Sequence, residues 1–119
     1  MEHPGSFQER CLIFCEAVIG LVEALPRTLS CRHIASQLVR SGTGVGSNVH
    51  EARGAESRAD FIHKMQIALK EARESSFWLA LLRRKAGHEA LASRLLAECE
   101  ELSAIIAKSV ITARKNSAP

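Results

Sequence analysis

The feature that most restricts how this chain can fold is the stepping pattern of its apolar residues. From residue 34 to residue 52 the series Ile34, Leu38, Ser41, Val45, Asn48 and Ala52 advances by four and three in turn, with Val49 alongside. That step returns side chains to one face of an α-helix. It continues in phase through "RSGTGVGSNVHEA" (residues 40–52), whose Gly42, Gly44 and Gly46 otherwise resemble a phosphate-cradling loop. A loop would lose phase. The loop also fails chemically, because Ser47 stands where a dinucleotide fingerprint needs its third glycine and no strand precedes it. A Walker-type turn fails as well, since no lysine lies between Cys31 and His63.

A glycine inside a helix costs about 1 kcal/mol relative to alanine, so these need an offsetting role. Gly42 and Gly46 share one side of the helix, and Ser41, Thr43 and Ser47 widen the small-residue surface. Such a groove lets a second helix approach closely and gain dispersion contacts. Gly44 points elsewhere and has no evident neighbour. Ser41 and Asn48 occupy inward positions and need hydrogen-bond partners there. Gln37 and Glu51 flank them, and Lys64, Glu71 and Ser75 line one edge of the next helix. A polar seam between these two helices, with Asn48 coupled to Glu71, is therefore expected.

Three further segments repeat the pattern. Ser6-Phe7-Gln8-Glu9 forms a capping box, followed inward by Phe7, Cys11, Phe14, Val18, Leu21 and Leu25 until Pro26 interrupts the ladder. Ser57 opens another helix, with Phe61, Met65, Ala68, Ala72, Ser75 and Leu79 inward and Gly87 as its stop. The last places Leu91, Leu95, Cys99, Leu102 and Ile106 inward and ends near Arg114 and Lys115, where positive charge suits the helix dipole. The tail "NSAP" is expected to fray. The chain thus reads as all-α, a single domain over residues 1–119 with helices at about 7–25, 31–54, 58–86 and 89–115. Apolar residues make up 46% and aromatics 4%, with no Tyr, so the core must be aliphatic.

The first helix is apolar on too many sides for a four-helix monomer. Leu12, Cys15, Ile19 and Val22 form a second stripe, Ile13, Ala17, Gly20 and Ala24 a third, and the acids are confined to Glu9, Glu16 and Glu23. Such a helix needs neighbours all round, and self-association is expected to supply them.

No apolar run is long enough to span a membrane, so no membrane partner is expected. The N-terminal segment lacks a basic stretch before an apolar one and does not read as a secretory signal, so the expected location is cytoplasmic. Cys11, Cys15, Cys31 and Cys99 then read as reduced, buried thiols. A zinc site from Cys11, Cys15, Cys31 and a histidine can be drawn, but Cys11 and Cys15 fit the apolar stripes, and no metal or cofactor is expected. No H-E-x-x-H or E-x-x-H motif occurs, and no serine or cysteine has a base beside it, so no catalytic residue is assigned.

Two functions remain open. The first is nucleic-acid binding. Arg83-Arg84-Lys85 closes the third helix, Arg53 and Arg58 flank the turn before it, and Arg40 is near in sequence. These would contact phosphates in a salt-sensitive, sequence-tolerant way, and a net charge of +3 repeated in an assembly would strengthen the field. They are equally readable as ordinary solvated charges, since no aromatic-rich surface accompanies them. The second is a scaffold that docks a protein through Ile67, Trp78 and Leu81.

"QLVRSGTGVGSNVHEA" followed by "SRADFIHKMQIALKEARESSFWLALL" resembles the four-helix bundle proteins encoded in intervening sequences of bacterial large-subunit ribosomal RNA genes. That family is similar in turn to the accessory variability proteins of diversity-generating retroelements. The resemblance implies an up-and-down, left-handed four-helix bundle assembling as a ring of five. Its hallmark positions fall on Arg40, Ser41, Asn48, Glu51, Lys64, Ala68, Glu71 and Glu74. Family members often carry serine where this chain has Gly44, which implies a less stable helix here. The retroelement branch implies nucleic acid and a reverse transcriptase as partners. For the other members the resemblance transfers shape rather than an activity.

Overall fold

The computed structural model describes residues 6–85 and 87–117. Four helices follow one another: α1 (Phe7–Glu23), α2 (Leu29–Arg53), α3 (Arg58–Arg83) and α4 (Glu89–Ser117), with no strand among the described residues. The expectations about the first five residues, the helix end at residue 86 and the final two residues lie outside the described residues.

Local chemistry sets the ends. Ser6 and Ser57 cap α1 and α3, each hydroxyl accepting from the amide three residues on at 3.0 Å. Thr28 does the same for α2, accepting from Cys31 N at 3.3 Å. This cap starts α2 at Leu29, two residues ahead of the position expected from the apolar series. The last turn of α1 tightens into three-residue bonds, from Ala24 N to Leu21 O and from Leu25 N to Val22 O, before Pro26. The third helix stops at Arg83, and Gly87 takes φ +92° in the turn that follows, a conformation open to glycine. The fourth runs on to Ser117.

Cross-contacts fix the layout. Cys15 lies against Gly42, Ser41 against Ser75, and Cys99 against Ala72, so each helix runs antiparallel to the one before. The Arg10 guanidinium meets Glu98 at 2.7 Å and Glu101 at 3.0 Å, closing α1 onto α4. The α1–α2 and α3–α4 turns therefore share one end of the bundle, and the α2–α3 turn lies at the other. α1 leans mainly on α2 and meets α4 over a shorter stretch. The long dimension is 53 Å.

The core is aliphatic, with Phe14 the only aromatic among its fully buried large side chains. Of the inward series, Phe7, Asn48, Phe61 and Leu91 are half-buried rather than buried. All four cysteines are buried and free. Burial pushes the Cys11 thiol up to about 12 and raises Cys15 and Cys99 for the same reason.

The glycines of α2 earn their place by close approach. A Cβ on Gly46 would lie 2.6 Å from Cys15 Sγ, and one on Gly42 would lie 3.0 Å from Val18 Cγ1. Cys15 is thus drawn into the α1–α2 contact, its thiol donating to Gly42 O at 3.4 Å, and does not belong to the outer stripe to which periodicity assigns it. Gly44 faces α3, where a Cβ would meet Glu71 Cγ and Cδ at 3.1 Å. What this helix loses in propensity at Gly44 gives Glu71 its seat. Of the other residues in α1's two extra apolar stripes, Ala17 and Val22 pack half-buried against the core, whereas Leu12 is 63% exposed, Ile13 44% and Ile19 38%.

Candidate nucleic-acid interface

Six cations were candidates for phosphate contact, and α3 separates them. Arg58 opens that helix and Arg83 closes it, about 38 Å away at 1.5 Å per residue. Arg53 and Arg58 lie at the end holding the α2–α3 turn. Arg58 donates to Asn116 O at 2.6 Å, satisfying a carbonyl near the end of α4. Arg83, Arg84 and Lys85 lie at the opposite end.

Arg40 occupies neither end. Its guanidinium pairs with Glu74 and, at 3.3 Å, with Glu71, and donates to Gln37. The Glu74 bond in turn raises the arginine's pKa and holds the Glu74 carboxyl below its usual range. Two carboxylates already surround this cation.

The end with the two turns gathers more charge than the sequence run shows. Antiparallel packing places Arg27 and Arg32, from the α1–α2 turn and the start of α2, beside Arg83, Arg84 and Lys85. Against these five cations stand two carboxylates, Glu23 and Glu89. The surplus of three equals the formal net charge of the whole chain, +3. Among the described residues none of the five cations forms an ion pair, and all but half-buried Lys85 are exposed. Arg27 and Arg32 were missed because each turn was read alone. The up-and-down order of four helices was the signal that would have joined them.

Ile67 and Trp78, two of the three residues considered as a protein-docking patch, are half-buried; Leu81 is 39% exposed. Trp78 Nε1 donates to Glu74 Oε2 at 3.1 Å, and its ring meets His33 edge-on at 5.7 Å. Phe77, outside that patch, is 59% exposed and packs edge-on against Trp78 at 4.8 Å. Among the described residues no three of His, Cys, Asp and Glu converge as a metal site, and no helix is long and apolar enough to cross a membrane.

A family model described as 23S rRNA-intervening sequence protein matches residues 7–108. The chain belongs to this family. A crystal structure of a protein of unknown function from the S23 ribosomal protein family of Bacteroides thetaiotaomicron VPI-5482 is similar to it. Identity is 30%, the TM-score is 0.78, and the match covers 88% of this chain and 98% of that one. No curated protein matches.

In this intervening-sequence protein the hallmark positions gather along the α2–α3 contact. Ser41 and Ser75 are both fully buried and bonded at 2.8 Å, Ala68 is fully buried, and Lys64 pairs with Glu51 at 2.7 Å. Arg40 reaches Glu71 and Glu74, completing a seam of polar contacts along one interhelical line. Asn48 departs from the expected pairing with Glu71, since its Nδ2 donates to Gly44 O at 2.8 Å within its own helix. Six of the eight positions thus bond to groups of the neighbouring helix and Ala68 is buried in the core, a packing role that leaves the charged end to other residues.

Proposed function

We propose that this intervening-sequence protein is a non-catalytic, cytoplasmic, left-handed bundle that self-assembles and binds RNA or DNA through its charged end. The observation that carries the binding is the unpaired surplus formed by Arg27, Arg32, Arg83, Arg84 and Lys85. Five cations on one end attract a polyanion by counterion release and need no base readout, so binding should be sequence-tolerant and salt-sensitive. Arg53 and Arg58 contribute at most a second, weaker contact at the far end, and Arg40 is engaged at the exposed edge of the α2–α3 seam by Glu71 and Glu74.

Self-assembly rests on a separate observation, the exposed Leu12, Ile13 and Ile19 of α1. An apolar strip of this kind marks an interface in soluble proteins. A ring of five, as the family resemblance implies, would carry five charged ends side by side. Light scattering should then give a mass of five chains, and Leu12→Glu with Ile19→Glu should reduce it to one.

Filter retention of labelled RNA and DNA at low and moderate salt tests the binding. Retention should fall as salt rises and weaken strongly when Arg83, Arg84 and Lys85 are all changed to alanine. Absence of retention at any salt would instead favour a scaffold for protein partners, a reverse transcriptase among them.

A further inference from the structure

The outward face of α3 has no part in the fold. Opposite the buried Ala68, Ala72, Ser75 and Leu79, the helix presents Gln66, Lys70, Arg73, Phe77, Leu81 and Arg84, every one exposed. Steps of three and four residues set them in one line along the helix. Three of the six are cations and none is a carboxylate. The acids Glu71 and Glu74 are turned toward α2, where Arg40 receives them.

Phe77 is the anomaly on this line. The chain has four Phe, one Trp and no Tyr, and one of these few rings is left 59% in water. The ring is nevertheless held. Trp78 packs against it with ring planes at 75°, and Trp78 is fixed by Glu74 on one side and His33 on the other. Arg40 in turn holds Glu74. A ring kept exposed and kept still is a stacking platform, and each base offers a π-face to it.

We propose that this line is a track for a single nucleic-acid strand, in which one unpaired base stacks on Phe77. Arg73 lies about 6 Å before the ring along the helix and Arg84 about 10 Å after it, placing both guanidinium groups near the flanking phosphates. The track runs into the charged end at Arg83 and Lys85, so the proposal rests on the binding argued above and adds the form of the nucleic acid. Charge complementarity argues for a polyanion as the occupant, since the line carries three cations and no carboxylate, and docking of a second copy is the alternative that the assembled mass reads out below. A paired base is stacked within its own helix, so duplex RNA can use the cations but not the ring.

The test is a fluorescence titration of the full chain with a twelve-nucleotide oligo(A), with the same strand paired to oligo(U), and with oligo(dA). Trp78 is the only tryptophan, so its emission reports on the platform. The single strand should quench Trp78. Phe77→Ala should weaken single-strand binding about tenfold to a hundredfold and change duplex binding less than twofold, while Phe77→Tyr should keep both. The proposal is overturned if Phe77→Ala weakens both forms alike or neither, or if Phe77→Ala changes the assembled mass, while oligo(dA) against oligo(A) reads which kind of single strand the track takes. Loss of binding in the Arg83/Arg84/Lys85 triple variant, with single strand and duplex bound equally by the unaltered chain, would overturn the stacking and leave the charged end standing. No binding of any probe would remove both.

Discussion

Changing Gly42 to alanine, beside the same change at Gly20, tests whether α1 and α2 approach as closely as the coordinates place them. Both glycines are interior to helices, so each alanine gains about 1 kcal/mol of helix propensity. Gly20 has nothing within 4 Å of a new Cβ and should keep all of that gain. At Gly42 the new methyl would lie 3.0 and 3.2 Å from the two methyls of Val18, where carbon atoms rest at about 3.5–4.0 Å. Val18 is fully buried and β-branched, so it cannot swing aside and the helices must part. Overpacking of this kind costs about 1–3 kcal/mol, leaving Gly42→Ala less stable by about 1 kcal/mol on balance. The two variants should differ by about 2 kcal/mol, roughly 6–10 °C in Tm for a chain of this size. Urea unfolding followed by Trp78 fluorescence and circular dichroism, at one fixed protein concentration, measures the difference. In a Val18→Ala background Gly42→Ala should turn neutral or stabilising, because the space has been made. Equal stabilisation by Gly20→Ala and Gly42→Ala in the unaltered background would refute the close approach.

Ser41→Ala and Ser75→Ala should each cost about 1 kcal/mol, and together less than the sum, because either change alone already removes the 2.8 Å bond between the two hydroxyls and leaves the other only its backbone carbonyl partner; thermal unfolding of the four-variant cycle reads this coupling. Cys11, Cys15 and Cys99 should resist a thiol reagent in the folded chain at pH 8 and react once urea unfolds it. Their raised pKa values mean the folded state keeps protons that the unfolded state releases. Stability should thus be intact below about pH 9 and fall as pH rises beyond it, over a window that reaches about pH 12 for Cys11, as alkaline unfolding curves will show. Glu74 runs the other way. Its carboxyl is depressed first by Arg40 and then by Trp78, so its contribution is present above the ordinary carboxylate range and lost as pH falls through the lower value. Trp78 emission should change only under that more acidic condition, and the change should move to higher pH in Arg40→Met.

The helices were legible because a period near 3.6 survives glycines, and it placed Cys11, Val18, Leu38, Val45, Ala72 and Ile106 in the core. Periodicity also located Gly42 and Gly46 on a packing side, though not which helix would press there. It could not tell that Cys15 would sink against Gly46, because a thiol serves equally at an inner or an outer apolar position. Long side chains were harder. Whether Arg40 meets phosphate or carboxylate depends on the rotation of α2 against α3, which brings Glu71 and Glu74 within its reach and which no local pattern encodes. Phe77 lies directly opposite the buried series, whereas Ile67 and Trp78 sit on the flank. Its position was computable from the spacing alone; its exposure depended on no other helix covering that face.

The dependence of RNA affinity on salt tests the charged end most directly. A plot of log affinity against log salt for a single strand should be linear, with a slope of about −2 to −3.5 if three to five phosphates are neutralised. Changing Arg83, Arg84 and Lys85 to alanine should make that slope shallower by about 2, whereas changing Arg53 and Arg58 should move it by less than about 1. An unchanged slope in the first variant, or a larger change in the second, would contradict the assignment of binding to the end that holds the two turns.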